Sequence, residues 1–134
     1  MALDFPNEGI GAVRARRGRC NQLAGASAEG VVERVYLGAG HRLLERRWRG
    51  KAGEIDLILE DADGTLVFVE VKKGPDTDRA LARISPAQVA RIHHAAEEYL
   101  ARCPKGLLTE TRFDAALMDA VGRVEILEGA LLGY

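Results

Sequence analysis

The run GEIDLILEDADGTLVFVEVKKG, Gly53 to Gly74, constrains the fold more than any other stretch of the chain. Apolar residues alternate through Ile55, Leu57 and Leu59, and again through Val67, Val69 and Val71. That is the period of strands with one face turned to a core. Between the two runs, Ala62, Asp63 and Gly64 have the composition of a three-residue hairpin loop, with Gly64 free to take φ > 0. If that loop forms, Asp61 faces Thr65, Asp56 lies opposite Glu70, and Glu54 lies opposite Lys72. All four charged residues then share the face away from the core residues.

Like charges opposed across two strands disfavour their pairing. A divalent cation is the simplest compensation, and the carboxylates of Asp56 and Glu70 are hard oxygen donors that suit Mg²⁺ or Mn²⁺ better than zinc. Lys72 points to the same side, where it would orient a water or stabilise charge building on a phosphate. The plainer alternative is the solvent face of an antiparallel hairpin, where alternating polar residues are normal. Ile58, Leu66 and Phe68 lie on that same face and imply that it is partly covered.

The length of 134 residues suits one domain. Residues 1–19 have scattered Gly and Arg without periodicity and read as a flexible basic tail; residues 20–134 read as the domain. A formal net charge of -1 excludes an overall basic coat. The basic residues are nevertheless clustered: Arg14, Arg16, Arg17 and Arg19 in the tail, then Arg42, Arg46, Arg47, Arg49 and Lys51. Arg46, Arg47, Arg49 and Lys51 are the expected contacts to a phosphate backbone, and a solvated basic face is the alternative. Cys20 and Cys103 have no spacing for a zinc site or a disulfide scaffold, and no run is long enough for a membrane span. Those features place the chain in a reducing cytoplasm.

Periodicity predicts a helix from about Asn21 to Leu37, stopped by Gly38 and Gly40, and a strand from His41 to Arg49. The two hairpin strands follow at about Glu54–Asp61 and Thr65–Lys73, and GPDTDRALAR reads as a flexible loop. Ser85 and Pro86 open a second helix that ends near Cys103. Two last strands are expected at about Thr111–Met118 and Arg123–Leu127. The order α-β-β-β-α-β-β describes an α/β fold with a central mixed sheet flanked by helices. His93 and His94 are adjacent on a helix and badly placed to chelate one metal, so His93 is expected to border the core. His41 reads as structural. Trp48 either packs on the sheet or stacks on a base. The closing GALLGY either completes the core or makes a homodimer contact.

GEIDLI, a short hairpin, then VFVEVK resembles the YraN family of small bacterial proteins, which belong to the PD-(D/E)xK, restriction-endonuclease-like superfamily. The likeness runs from about Gln22 to Leu131 and takes in ERRWRGKAGEIDLI, SPAQ, RFDAAL and VEILEGAL. It implies a restriction-endonuclease-like fold. It also implies that Asp56 and Glu70 are metal ligands, with the carbonyl of Val71 as a further one, and that Lys72 is the superfamily's catalytic lysine. Glu29 resembles an additional helix glutamate of many relatives, and Gln88 a polar residue supplied by the following helix. Ile55 stands where the superfamily's nominal motif has proline. The activity implied is Mg²⁺- or Mn²⁺-dependent hydrolysis of phosphodiester bonds in DNA, branched DNA being one candidate substrate. The alternative is a nucleic-acid-binding module that keeps the fold but cleaves little, and a third is a protein-interaction domain.

Overall fold

The computed structural model describes residues 2–3 and 27–132. The arginines of the expected basic tail and the expected helix start at Asn21 lie outside the described residues. In chain order the elements are β1 (Ala2–Leu3), α1 (Ala28–Gly38), β2 (Arg42–Arg49), β3 (Glu54–Glu60) and β4 (Leu66–Lys73). Then come α2 (Thr77–Ala82), α3 (Pro86–Leu100), a single 3₁₀ turn at Gly106–Leu108, β5 (Thr111–Met118) and β6 (Val124–Leu127). Among the described residues, no helix is long and apolar enough to cross a membrane.

Six strands form one sheet in the order β1-β6-β5-β4-β3-β2. The hairpin forms in the register that the sequence implies: Asp61 donates its N–H to the Thr65 carbonyl at 3.0 Å, and the pairs run from Glu60–Leu66 to Leu57–Val69. The Asp61 carboxylate holds the turn by accepting from the N–H groups of Asp63 and Thr65, both at 2.9 Å. Parallel strands need a long crossover, and here β4 reaches its parallel neighbour β5 through α2 and α3. The sheet is therefore mixed, with helices on both faces, as the element pattern predicts.

Each face has its own core. α1 packs Val31, Val32, Val35 and Tyr36 over Leu57, Leu59, Val67, Val69, Ala116 and Ile126. On the other face α3 lays Ile92, Ala95, Ala96 and Leu100 on Ile55, Ile58, Phe68 and Leu117. Leu131 closes this second core, so part of the apolar C-terminus is a core element. Trp48 packs here too, edge-on to Tyr99 at 5.3 Å between ring centroids. His93 stacks on Phe113 at 3.9 Å and lies with Nε2 2.7 Å from the Leu131 carbonyl.

Three expectations need correction. α1 begins at Ala28 rather than near Asn21, because Ser27 caps it, accepting from the Gly30 N–H at 3.2 Å. GPDTDRALAR is not a plain loop: Asp76 accepts from the Arg79 N–H at 2.8 Å and starts α2, whose Ala80 is fully buried. Gly74 permits this packing, since a Cβ there would lie 2.7 Å from the Ala80 nitrogen. The third correction is Ile55, expected beside Leu57 on the α1 face, which packs instead beside Ile58 on the α3 face.

Candidate active site

The displaced Ile55 marks the start of the site. Across the β2–β3 ladder, Arg46 pairs with Leu57 and Trp48 with Ile55, so Arg47 stands against Asp56. Arg47 has φ 48, the one positive φ outside glycine among the described residues. A left-handed residue inside a strand breaks its alternation. The two adjacent arginines consequently both turn to α1. Arg46 grips Glu33 with Nε and a terminal nitrogen at 2.7 and 2.9 Å, and Arg47 Nε bonds Glu29 at 3.0 Å. Glu29 and Glu33 are one helical turn apart, so successive strand residues meet successive turns of the helix.

On the β4 side the backbone pairing ends at Leu57–Val69. Continued in phase from Asp61 and Thr65, the Val71 N–H would go to the Ile55 carbonyl. It goes instead to the carboxylate of Asp56, at 2.8 Å. Asp56 is thereby fixed at the parting of the two strands, its side chain in the place of a backbone acceptor. The like-charged pair inferred from the register is thus brought together by a broken ladder, not by a continuous one.

Glu70 is the buried member, only 4% exposed. Burial pushes its carboxyl up to about 8, helped by the hydrogen bond and charge of Asp56, while Lys72 pulls the other way. Lys72 Nζ is 3.4 Å from Glu70 Oε2. The amide of Gln88 donates to the same oxygen. Ser85 caps α3 by accepting from the Gln88 N–H at 3.1 Å, in the S-x-x-Q spacing of a capping box. In that motif the Gln side chain returns to the cap; here it reaches the sheet and fixes Glu70.

Glu29, Glu54, Asp56, Glu70, Val71, Lys72 and Gln88 line one cleft of about 320 Å³, together with Gly53, Arg91 and Ile92. A buried carboxyl held above its ordinary range beside a second carboxylate is only partly relieved by Lys72 and Gln88. The oxygen donors of Asp56 and Glu70 in this pocket are of the hard kind that suits a small divalent cation. Against this, no group of three or more His, Cys, Asp or Glu side chains among the described residues is spaced as a ligand set.

All five catalytic candidates therefore come together. The arginines of the basic segment are ion-paired within the fold. Arg46 and Arg47 are paired with α1, Arg49 bonds Glu54 at 2.9 Å and Arg42 bonds Glu60, so these guanidiniums are already matched to acids. Lys51 presents its N–H to Glu98 at 2.9 Å, and Ala52 does the same at 3.0 Å. Glu98 thus carries the loop that leads into β3, a role sequence reasoning missed. Arg91, one turn beyond Gln88 on α3, lines the cleft as well.

A family model described as uncharacterised protein family UPF0102 matches residues 28–118. The chain belongs to UPF0102. This is the YraN family that the motifs suggest. A UPF0102 protein of Roseobacter denitrificans is 52% identical over 118 residues, covering 88% of this chain and 91% of that one. UPF0102 proteins of Ruegeria pomeroyi and Cereibacter sphaeroides are 51% and 49% identical, over 87% and 84% of this chain and 94% and 96% of theirs. The UPF0102 match runs from the first residue of α1 to the last of β5 and contains every residue of the cleft; β1 and β6 lie outside it.

Proposed function

We propose that the protein is a metal-dependent nuclease that hydrolyses phosphodiester bonds in DNA, with branched DNA among its candidate substrates. The observation that carries this reading is the trio of Asp56, Glu70 and Lys72 at the parting of β3 and β4, with Glu70 buried and pushed up to about 8. Two carboxylates brought together at such a cost suit a cation, which Asp56, Glu70 and the Val71 carbonyl would hold. When bound, Mg²⁺ or Mn²⁺ would supply positive charge to the phosphate oxygens and acidify a water.

The chain's own groups do the rest. Gln88 holds the Glu70 carboxylate in one orientation. Asp56 is held by the Val71 N–H, so neither acid has to be ordered when substrate arrives. Lys72, tethered at 3.4 Å by Glu70, presents its ammonium to the charge that builds on phosphorus oxygens as the leaving oxygen departs. Glu29, held by Arg47, lines the same cleft and steadies its far wall.

The test is cleavage of linear and branched DNA, with RNA alongside, in Mg²⁺ or Mn²⁺ against EDTA, for the parent and Lys72→Ala. Lys72→Ala should cut the rate about a hundredfold or more while changing nucleic-acid affinity much less. Equal activity in both proteins would remove Lys72 from the chemistry. A binding module with little cleavage is the second reading, favoured by the lack of a three-residue ligand set among the described side chains. Salt-dependent DNA binding with no metal-dependent cleavage would establish it.

A further inference from the structure

The cleft presents an electrostatic difficulty for any polyanion. It is lined by Glu29, Glu54, Asp56 and Glu70. Each of these acids already has a donor: Glu29 has Arg47, Glu54 has Arg49, Asp56 has the Val71 N–H, and Glu70 has Gln88 and Lys72. The other arginines of β2 are occupied as well, Arg46 by Glu33 and Arg42 by Glu60, and Lys72 is shared with Glu70. Arg91 differs. Exposed on α3 one turn beyond Gln88, it lines the cleft and has no hydrogen-bond or ion-pair partner among the described residues.

Its place is nevertheless defined. The Arg91 stem lies along Gly53, where a methyl group would meet its Cβ at 3.6 Å and its Cδ at 4.0 Å. Gly53 ends the loop that Glu98 carries, so the same helix fixes the loop and extends the guanidinium beside it. A guanidinium offers a planar fork of donors matched to phosphate oxygens.

We propose that Arg91 anchors a phosphodiester in this cleft, adjacent to the group that Lys72 faces, and that it matters more for binding than the arginines of β2. This rests on the nuclease reading for its substrate but not for its chemistry, which is capture of a phosphodiester monoanion.

Two measurements test it. The first is anisotropy of a labelled DNA duplex in EDTA across a KCl series, for the parent, Arg91→Ala, Arg91→Lys and Arg46→Ala, each checked for folding by its thermal melt. Arg91→Ala should weaken binding about tenfold and lower the salt slope by about one. Arg91→Lys should recover the slope but only part of the affinity, and Arg46→Ala should change both less. An Arg91→Ala protein that binds like the parent overturns the proposal while leaving the nuclease reading standing. The second measurement is titration of dimethyl phosphate into the ¹⁵N-arginine-labelled protein. A shift of the Arg91 side-chain Nε–H resonance supports the anchor even if the parent binds no nucleic acid, an outcome that would sink the nuclease reading alone. No shift there overturns the anchor.

Discussion

Glu70 shows how much one residue can carry. It sits in the middle of a buried strand, where its carboxyl is pushed up to about 8 by burial and by Asp56. Its folded value lies above the ordinary 4.5, so the metal-free fold favours the protonated acid. The stability that protonation contributes is complete below about pH 4.5 and is lost as pH rises through about 8. Metal-free protein should therefore melt at progressively lower temperature between pH 5 and 9 than it would without this group. Glu70→Gln mimics the protonated acid and retains an oxygen for Gln88. In EDTA its melting temperature should fall less over that interval and should exceed the parent's at pH 9. Parallel curves for the two proteins would mean that Glu70 is not held protonated. That Glu70 and Asp56 belong together was legible from the hairpin register alone, since a three-residue loop fixes which positions oppose. The depth of burial was not, because it depends on α3 lying over the face that Phe68 and Ile58 share.

At the scale of elements, the local signals are the ones the sequence discloses. Ser85-Pro86 starts α3 where capping chemistry puts it, and β5 spans Thr111–Met118 as its pattern indicates. Asp76 carried a similar capping signal for α2, but six residues with one buried alanine leave almost no periodicity to read. The break at Asp56 was hidden for a different reason. Alternation predicts Ile55 beside Leu57, and nothing local announces that Arg47 will be left-handed, because its partner Glu29 is 18 residues away. This suggests a test of what places Asp56. Glycine adopts φ 48 without the Cβ penalty, alanine bears the same penalty as arginine, and a β-branched side chain bears more. Arg47→Val should accordingly melt a few degrees below Arg47→Ala, and Arg47→Gly should equal or exceed Arg47→Ala. Since all three lack the ion pair to Glu29, any spread among them reports the backbone. Identical melts would show that the left-handed turn is not what holds the strand break.

The molecule as a whole separates a polar site that opens to solvent from a polar cluster centred on one fully buried carboxylate. Asp114 of β5 is fully buried and stands in register with Val69, the residue before Glu70. Tyr36 of α1 donates to it at 2.8 Å, the Arg112 guanidinium bonds both its oxygens at 2.9 and 3.0 Å, and the Gly129 N–H reaches it at 3.0 Å. One carboxylate thus ties α1, β5 and the segment after β6 together. Tyr36 is driven well above its ordinary phenol range, first by burial and then by this negative neighbour, so it remains a donor at any physiological pH. None of this was visible beforehand, because RFDAAL reads as an ordinary strand and the partners come from three distant parts of the chain. Removing one partner of a buried ion pair leaves the other charge uncompensated, at a cost of about 3 to 5 kcal/mol. Arg112 remains 22% exposed, so water partly replaces it, and Arg112→Ala belongs at about 3 kcal/mol. Tyr36→Phe removes a single hydroxyl and should cost about 1 kcal/mol. The double substitution Arg112→Met with Asp114→Leu removes both charges, and should be less destabilising than Arg112→Ala alone. Urea unfolding of the three variants decides the matter. If the double variant proves the least stable, the cluster stabilises the fold through its charges, and is more than a matched pair that keeps α1 seated over the sheet.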